Sequence, residues 1–211
     1  MPSVGARVFV GIDVGEAVRR EAARVVATLA GKLEAVKKPP KVTWVKPAAL
    51  HLTIRFIGEV EPERVEALAS LLMAPIRLKP FDVQWRGIGT FPNSKHPRAL
   101  WLGVISGAAQ LAEVEAEVSR RVAGAQAVEI EGRPLLPHLT LGRVKMAGEG
   151  VDWPKILQAS EVKQAVTRVD RVVLYQSRLP QPFGTLRAGL GAVEGQQGPH
   201  YTELVSTPLV G

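Results

Sequence analysis

One phrase occurs twice in this chain, and it constrains the fold more than any other feature of the sequence. His51-Leu-Thr-Ile54 and His138-Leu-Thr-Leu141 share the order His, apolar, Thr, apolar. Each follows a proline-containing approach, Lys46-Pro47 and the next residues before the first copy and Arg133-Pro-Leu-Leu-Pro137 before the second. Such alternation reads as a half-buried strand, whose successive side chains point to opposite faces. In each copy the histidine and threonine therefore share a face, about 6.5–7 Å apart along the strand, while the apolar residues share the other. The chain has only four histidines (51, 96, 138 and 200), and the odds that two of them fall in this pattern by chance are roughly one in two thousand. The repeat predicts two related halves with one His-x-Thr strand apiece.

The rest of the sequence supplies matching elements around each copy. Arg7-Val-Phe-Val-Gly-Ile-Asp13 reads as a buried strand leading to a helix N-cap at Asp13. Val18, Ala22, Val25, Leu29 and Leu33 then recur at helical spacing, the helix runs to about Lys38, and Pro39-Pro40 stops it. The cations on its other face, Arg19, Arg20 and Arg24 among them, read as a solvated surface. Val42 to Val45 reads as a strand. In the strand from His51 to Phe56, alternation places His51, Thr53 and Arg55 on one face and Leu52, Ile54 and Phe56 on the other. A helix opens at Glu61-Pro62-Glu63 and runs to about Ala74. Strands are expected over 81–90 and 98–104, around the loop 91–97, and a helix over 106–123 with Leu111, Val114, Val118 and Val122 inward. A short helix near 152–159, a strand over 168–177 and a last strand over 201–205 complete the pattern. The Gly- and Gln-rich stretch 181–199 reads as a surface excursion. No linker divides the halves, so residues 1–211 are expected to form a single α+β domain of two related lobes.

Composition narrows the function classes. With no cysteine, the chain has no disulfide, thiolate ligand or cysteine nucleophile. A net charge of +7 and a pI near 10 favour a polyanionic partner. The longest uncharged apolar stretch, 99–112, is shorter than the ~18–20 residues a membrane helix needs, and no secretory signal opens the chain, so the expectation is a cytoplasmic protein without a membrane partner.

Two imidazoles and two hydroxyls facing one groove suit a phosphoryl centre: the imidazoles move protons and the hydroxyls hydrogen-bond non-bridging oxygens. Near neutral pH one imidazole can be neutral while the other is protonated. The rival is a metal site, but catalytic zinc usually takes a third protein ligand, and neither motif carries a carboxylate at suitable spacing, which leaves Asp13 and Glu59 to approach only through the fold. There is no Gly-x-Ser-x-Gly elbow and no P-loop, and Gly87-Ile-Gly89 lacks the third glycine of a dinucleotide fingerprint. The expectation is a site without metal or cofactor. His96 and His200 read as surface residues, and Trp44 and Phe56 as core.

These residues resemble the two-histidine (2H) phosphoesterases, and within them the RNA 2′,3′-cyclic phosphodiesterases, also called 2′-5′ RNA ligases. The resemblance spans Arg7–Asp13, Trp44–Pro47, Leu50–Glu59, Gly87–Pro92, Pro97–Val104, Pro137–Lys145 and Val169–Leu179. It implies a bilobal fold of two pseudo-twofold-related lobes of antiparallel sheet, with helices outside and a central groove. It also implies metal-free opening of an RNA 2′,3′-cyclic phosphate to a 2′-phosphomonoester. In that scheme His51 donates a proton to the departing O3′, His138 activates water, and Thr53 and Thr140 hold the phosphate. Arg143 matches a position that often contacts phosphate or nucleotide, although alternation alone would put it on the opposite face from His138, so a bulge or a strand end is required. The implied partner is RNA with a 2′,3′-cyclic phosphate end, tRNA fragments included, with no obligate protein partner. Joining of tRNA halves through a 2′-5′ linkage is the alternative activity, and a non-catalytic RNA-binding module is the alternative from another class.

Overall fold

The computed structural model describes residues 6–124, 135–178 and 200–211. The excursion expected over 181–199 lies outside the described residues, apart from the strand that follows it. In chain order the elements are β1 (Ala6–Asp13), α1 (Gly15–Glu34), β2 (Lys41–Trp44), β3 (His51–Val60), α2 (Pro62–Met73), β4 (Phe81–Phe91), β5 (Ala99–Ser106), α3 (Ala108–Gly124), β6 (His138–Met146), α4 (Trp153–Gln158), β7 (Ala165–Val169), β8 (Arg171–Arg178) and β9 (His200–Pro208).

The strands form one antiparallel sheet in the order β7-β4-β5-β6-β3-β1-β8-β9, with β2 added on β6. Its midpoint is the pairing of the two His-x-Thr strands, where Leu52 faces Leu139. Exchanging β3 with β6, β1 with β5, β8 with β4 and β9 with β7 maps one half of this order onto the other, which is the expected pseudo-twofold. The lobes are not successive stretches of chain. Strand β4 lies in the β6 lobe, and β8 and β9 return to complete the β3 lobe. That interleaving explains the missing linker.

All the long helices cover one face. Val18, Ala22, Val25 and Leu29 of α1, Leu68 and Leu72 of α2, and Leu111, Val114, Val118 and Val122 of α3 join Val8, Val10, Ile12, Leu52, Leu139 and Leu141 in a continuous core. Burying each of these large side chains contributes about 1.5–3 kcal/mol, and the sheet's other face is left free for chemistry. Polar ties lock the helical side. Trp85 Nε1 donates to Thr167 Oγ1 (2.8 Å), which donates to Val14 O (2.7 Å), and Thr207 Oγ1 donates to Leu72 O. Among the described residues, no helix is long and apolar enough to cross a membrane.

Several boundaries differ from the sequence reading for local reasons. Val14, not Asp13, occupies the N-cap of α1; Asp13 Oδ1 accepts from Gly15 N (2.7 Å) and Oδ2 from Arg19 Nη2 (3.0 Å), so the carboxylate closes a turn just outside the helix. Helix α1 ends at Glu34, a few residues before the proline pair. The single strand expected over 168–177 is two strands that part at Asp170, with β7 pairing to β4 and β8 to β1.

Candidate active site

The antiparallel register at Leu52 and Leu139 builds the site directly. One residue to either side, His51 comes opposite Thr140 and Thr53 opposite His138, and all four turn away from the buried leucines. Residues opposite one another have Cβ atoms about 4.5–5.5 Å apart, and diagonal neighbours such as the two histidines about 7–8 Å. The two imidazoles and two hydroxyls predicted from the repeat therefore share one face at the junction of the lobes.

Both rings are held in the same way. His51 Nδ1 bonds Ala49 O (2.9 Å) and His138 Nδ1 bonds Leu136 O (2.7 Å), each carbonyl lying two residues upstream. A carbonyl only accepts, so each Nδ1 carries a proton and each Nε2 is left for the groove, as a base when neutral and an acid when protonated. The proline-bearing approaches thus have a structural role: Pro47 opens a 3-10 turn that ends at Ala49 and brings its carbonyl under His51.

The surroundings are aromatic, and unequal. His51 packs against Phe9 (ring centroids 4.6 Å apart) and edge-on to Tyr201 (4.8 Å), while His138 meets Phe91 edge-on (4.9 Å). Burial pulls the His51 pKa below its ordinary 6.5, and the facing His138 adds to that; the bond to Ala49 O opposes it without prevailing. Burial also pushes Tyr175 up to about 12, with Glu203 adding to the effect, and it raises Tyr201, which Arg143 and Arg7 partly offset. Phe9, Phe91, Tyr175 and Tyr201 were not singled out from sequence. Their signal was present as alternation, since Phe9 and Tyr175 occupy the non-core parity of their strands.

Matching β-bulges decide what lies beyond the threonines. In β6 the partners of β5 step from Thr140 to Gly142, leaving Leu141 as the extra residue; in β3 the partners of β1 step from Thr53 to Arg55, leaving Ile54. The first bulge turns Arg143 to the groove side, as the resemblance required. Gly142 accommodates it, because a Cβ there would lie 2.7 Å from the Trp44 ring. The second bulge overturns two expectations. Arg55 leaves the histidine face and pairs with Glu115 of α3 (3.0 Å), and Phe56, expected in the core, is 59% exposed on the groove side in the position equivalent to Arg143. Trp44 does pack on the core, as expected.

Of the two carboxylates left open for a metal, Asp13 stands opposite His51 in the β1–β3 register, and neither has a hydrogen bond to an imidazole among the described residues. Asp13 is engaged by Gly15 and Arg19, and Glu59 stands opposite Arg7 toward the far end of β3. Among the described residues, no group of three or more His, Cys, Asp or Glu is arranged to hold a metal ion. His96 is exposed in the loop after β4 and His200 is exposed at the start of β9.

Residues 17–101 match the family model described as LigT like Phosphoesterase. An RNA 2′,3′-cyclic phosphodiesterase of Thermotoga maritima is 30% identical over 174 residues, covering 82% of this chain and 87% of its own. The RNA 2′,3′-cyclic phosphodiesterase of Aeropyrum pernix is 36% identical over 130 residues, 61% of this chain and 73% of its own. Among solved structures, TT0787 of Thermus thermophilus superposes with a TM-score of 0.65 at 24% identity over 96% of this chain and 97% of its own. E. coli LigT in apo form gives 0.63 at 24% identity over 99% and 100%.

Proposed function

The chain belongs to the LigT-like phosphoesterases, and on that premise we propose that it is an RNA 2′,3′-cyclic phosphodiesterase, opening a terminal cyclic phosphate to a 2′-phosphomonoester. The observation that carries the reading is the pairing of two His-x-Thr strands at Leu52 and Leu139, with both Nδ1 atoms tied back to the main chain.

In the proposed step a water attacks phosphorus and the P–O3′ bond breaks. His138 Nε2 takes a proton from the water, and His51 Nε2 gives one to the departing O3′. A 3′-hydroxyl and a 2′-phosphate result, with one proton moved from His51 to His138 for solvent to restore. Each positioned acid or base contributes about 10²–10⁴-fold. The Thr53 and Thr140 hydroxyls hydrogen-bond the non-bridging oxygens, whose charge grows in the transition state. Because His51 is withdrawn from water, it takes up its proton most readily when an anionic phosphate lies against it. Arg143, on the same face beyond the bulge, attracts the polyanion. The same groove would join RNA halves if a 5′-hydroxyl replaced the water, and we place the activity in the cytoplasm on RNA fragments, tRNA halves included.

The test is product analysis of an oligonucleotide ending in a 2′,3′-cyclic phosphate, with EDTA present. The expected product is the 2′-phosphate. Absence of turnover, or turnover abolished by chelation, contradicts the reading.

A further inference from the structure

The two ends of the groove are related by the pseudo-twofold but carry different chemistry. Three residues past each threonine, one end presents Arg143 and the other Phe56. Beyond Arg143 the positive character continues. Val42, Trp44 and Val144 pack with Leu33, Leu100 and Trp153 on the helical side. Alternation therefore turns Lys41, Thr43 and Arg143 outward on the groove side, and an irregularity in the β2–β6 register leaves Lys145 beside them, all exposed. Thr43 stands opposite Arg143, and Lys145 follows about 7 Å further along its strand. Among the described residues, none of Lys41, Arg143 and Lys145 has an acidic partner, whereas on the helical side Arg19, Arg24, Arg55 and Arg121 are all in ion pairs. Beyond Phe56 the other end offers Glu59, opposite Arg7.

A strand ending in a cyclic phosphate has nucleotides on one side of that phosphate and nothing on the other. A groove with more cationic charge at one end, where Lys41, Arg143 and Lys145 gather, than at the other, where Arg7 stands opposite Glu59, matches such a substrate, because the upstream phosphates need neutralising in one direction. We infer that the β2–β6 ribbon is the track for the RNA upstream of the reacting phosphate, with Lys41 and Lys145 contacting its backbone phosphates, and that the preferred substrates are oligonucleotide ends rather than nucleoside cyclic phosphates. This rests on the phosphoesterase reading for the reacting end, but the track itself is a binding claim and can be tested without turnover.

Two measurements separate the claims. The first is binding of a single-stranded oligonucleotide ending in a 2′-phosphate, followed by fluorescence anisotropy across a salt series, for the wild type and for Lys41→Ala/Lys145→Ala. Both side chains are exposed, so the double variant should keep its fold, and its circular dichroism and melting temperature check that. Each lost phosphate contact reduces the log–log salt slope by about 0.7 for a single strand, so the double variant should bind about tenfold more weakly at low salt with a slope shallower by about 1.4. The second is the ratio of kcat/KM for a cyclic-phosphate-ended oligonucleotide over that for a nucleoside 2′,3′-cyclic phosphate, which should fall by about tenfold in the double variant. An unchanged slope and unchanged binding overturn the track, as does a wild type with no preference for the oligonucleotide. Turnover of neither substrate by the wild type overturns the phosphoesterase reading instead, and the salt slope still decides the track.

Discussion

At the scale of single residues, the two histidines are equivalent in sequence and in their backbone hydrogen bonds, yet the aromatic rings around them differ. The wall of Phe9 and Tyr201 encloses His51 and lowers its pKa, so in the empty groove its imidazole stays neutral to a lower pH than an ordinary histidine. A pair that works with one proton between them fails when both are protonated, so kcat/KM should be bell-shaped with its acid limb below pH 6.5, the ordinary value for the group. Tyr201→Ala opens that wall to solvent, which relieves desolvation and raises the pKa, so the acid limb should move toward 6.5; a limb that stays put or moves to more acid pH contradicts the assignment. The threonines give a second check at this scale. Thr53→Val and Thr140→Val should each lower kcat by about 10²-fold, with Thr→Ser retaining most of the rate, if the hydroxyls bond the non-bridging oxygens. The histidines and threonines were legible in the sequence because a duplicated pattern marks them. Phe56 was misread because its face depends on a bulge, and a one-residue slip reverses every side chain beyond it.

At the scale of elements, the bulges at Ile54 and Leu141 do more to decide what lines the groove than any helix boundary. They carry Arg143 into the groove and send Arg55 to Glu115 on the helical side, and neither outcome follows from period-two alternation. Periodicity finds strands and helices because burial repeats with the backbone, but a bulge is set by which residues pair across strands, and that information is not local. The same limit hid β7. Its burial alternates into β8 with only Asp170 between them, and the break shows only once the two strands are seen to pair with different partners. Gly142 offers a direct test of the β6 bulge. Gly142→Val places side-chain atoms against the Trp44 ring and should destabilise the fold by about 1–3 kcal/mol, read as a lower denaturant midpoint with unchanged slope. Stability equal to wild type would show that the strand does not follow this path.

At the scale of the whole molecule, the proposed function follows from joining the two His-x-Thr strands at one seam. One lobe is inserted into the other: β4, β5, β6 and β7 follow one another to build the β6 lobe, with β2 added from the earlier chain, and β8 and β9 return afterwards to complete the β3 lobe. The sequence predicted two related lobes without a linker, but not this insertion, since strand order is decided by long-range pairing. The consequence is cooperative unfolding. Leu139 is fully buried opposite Leu52, and Leu139→Ala should cost about 2–5 kcal/mol while both lobes still melt together in one transition. Two separated transitions would mean that the lobes fold independently and that the seam is an interface and not a core.

The central claim is that His51 and His138 act together on one phosphorus atom, and a double-mutant cycle addresses it most directly. Single-turnover rates on a cyclic-phosphate-ended oligonucleotide would be measured for wild type, His51→Ala, His138→Ala and the double variant. Groups that act as a unit are strongly non-additive, so each single variant should lose about 10²–10⁴-fold and the double variant little more than the worse of the two. Losses that multiply, or a single variant that keeps the wild-type rate, would show that the two imidazoles do not share a reaction centre.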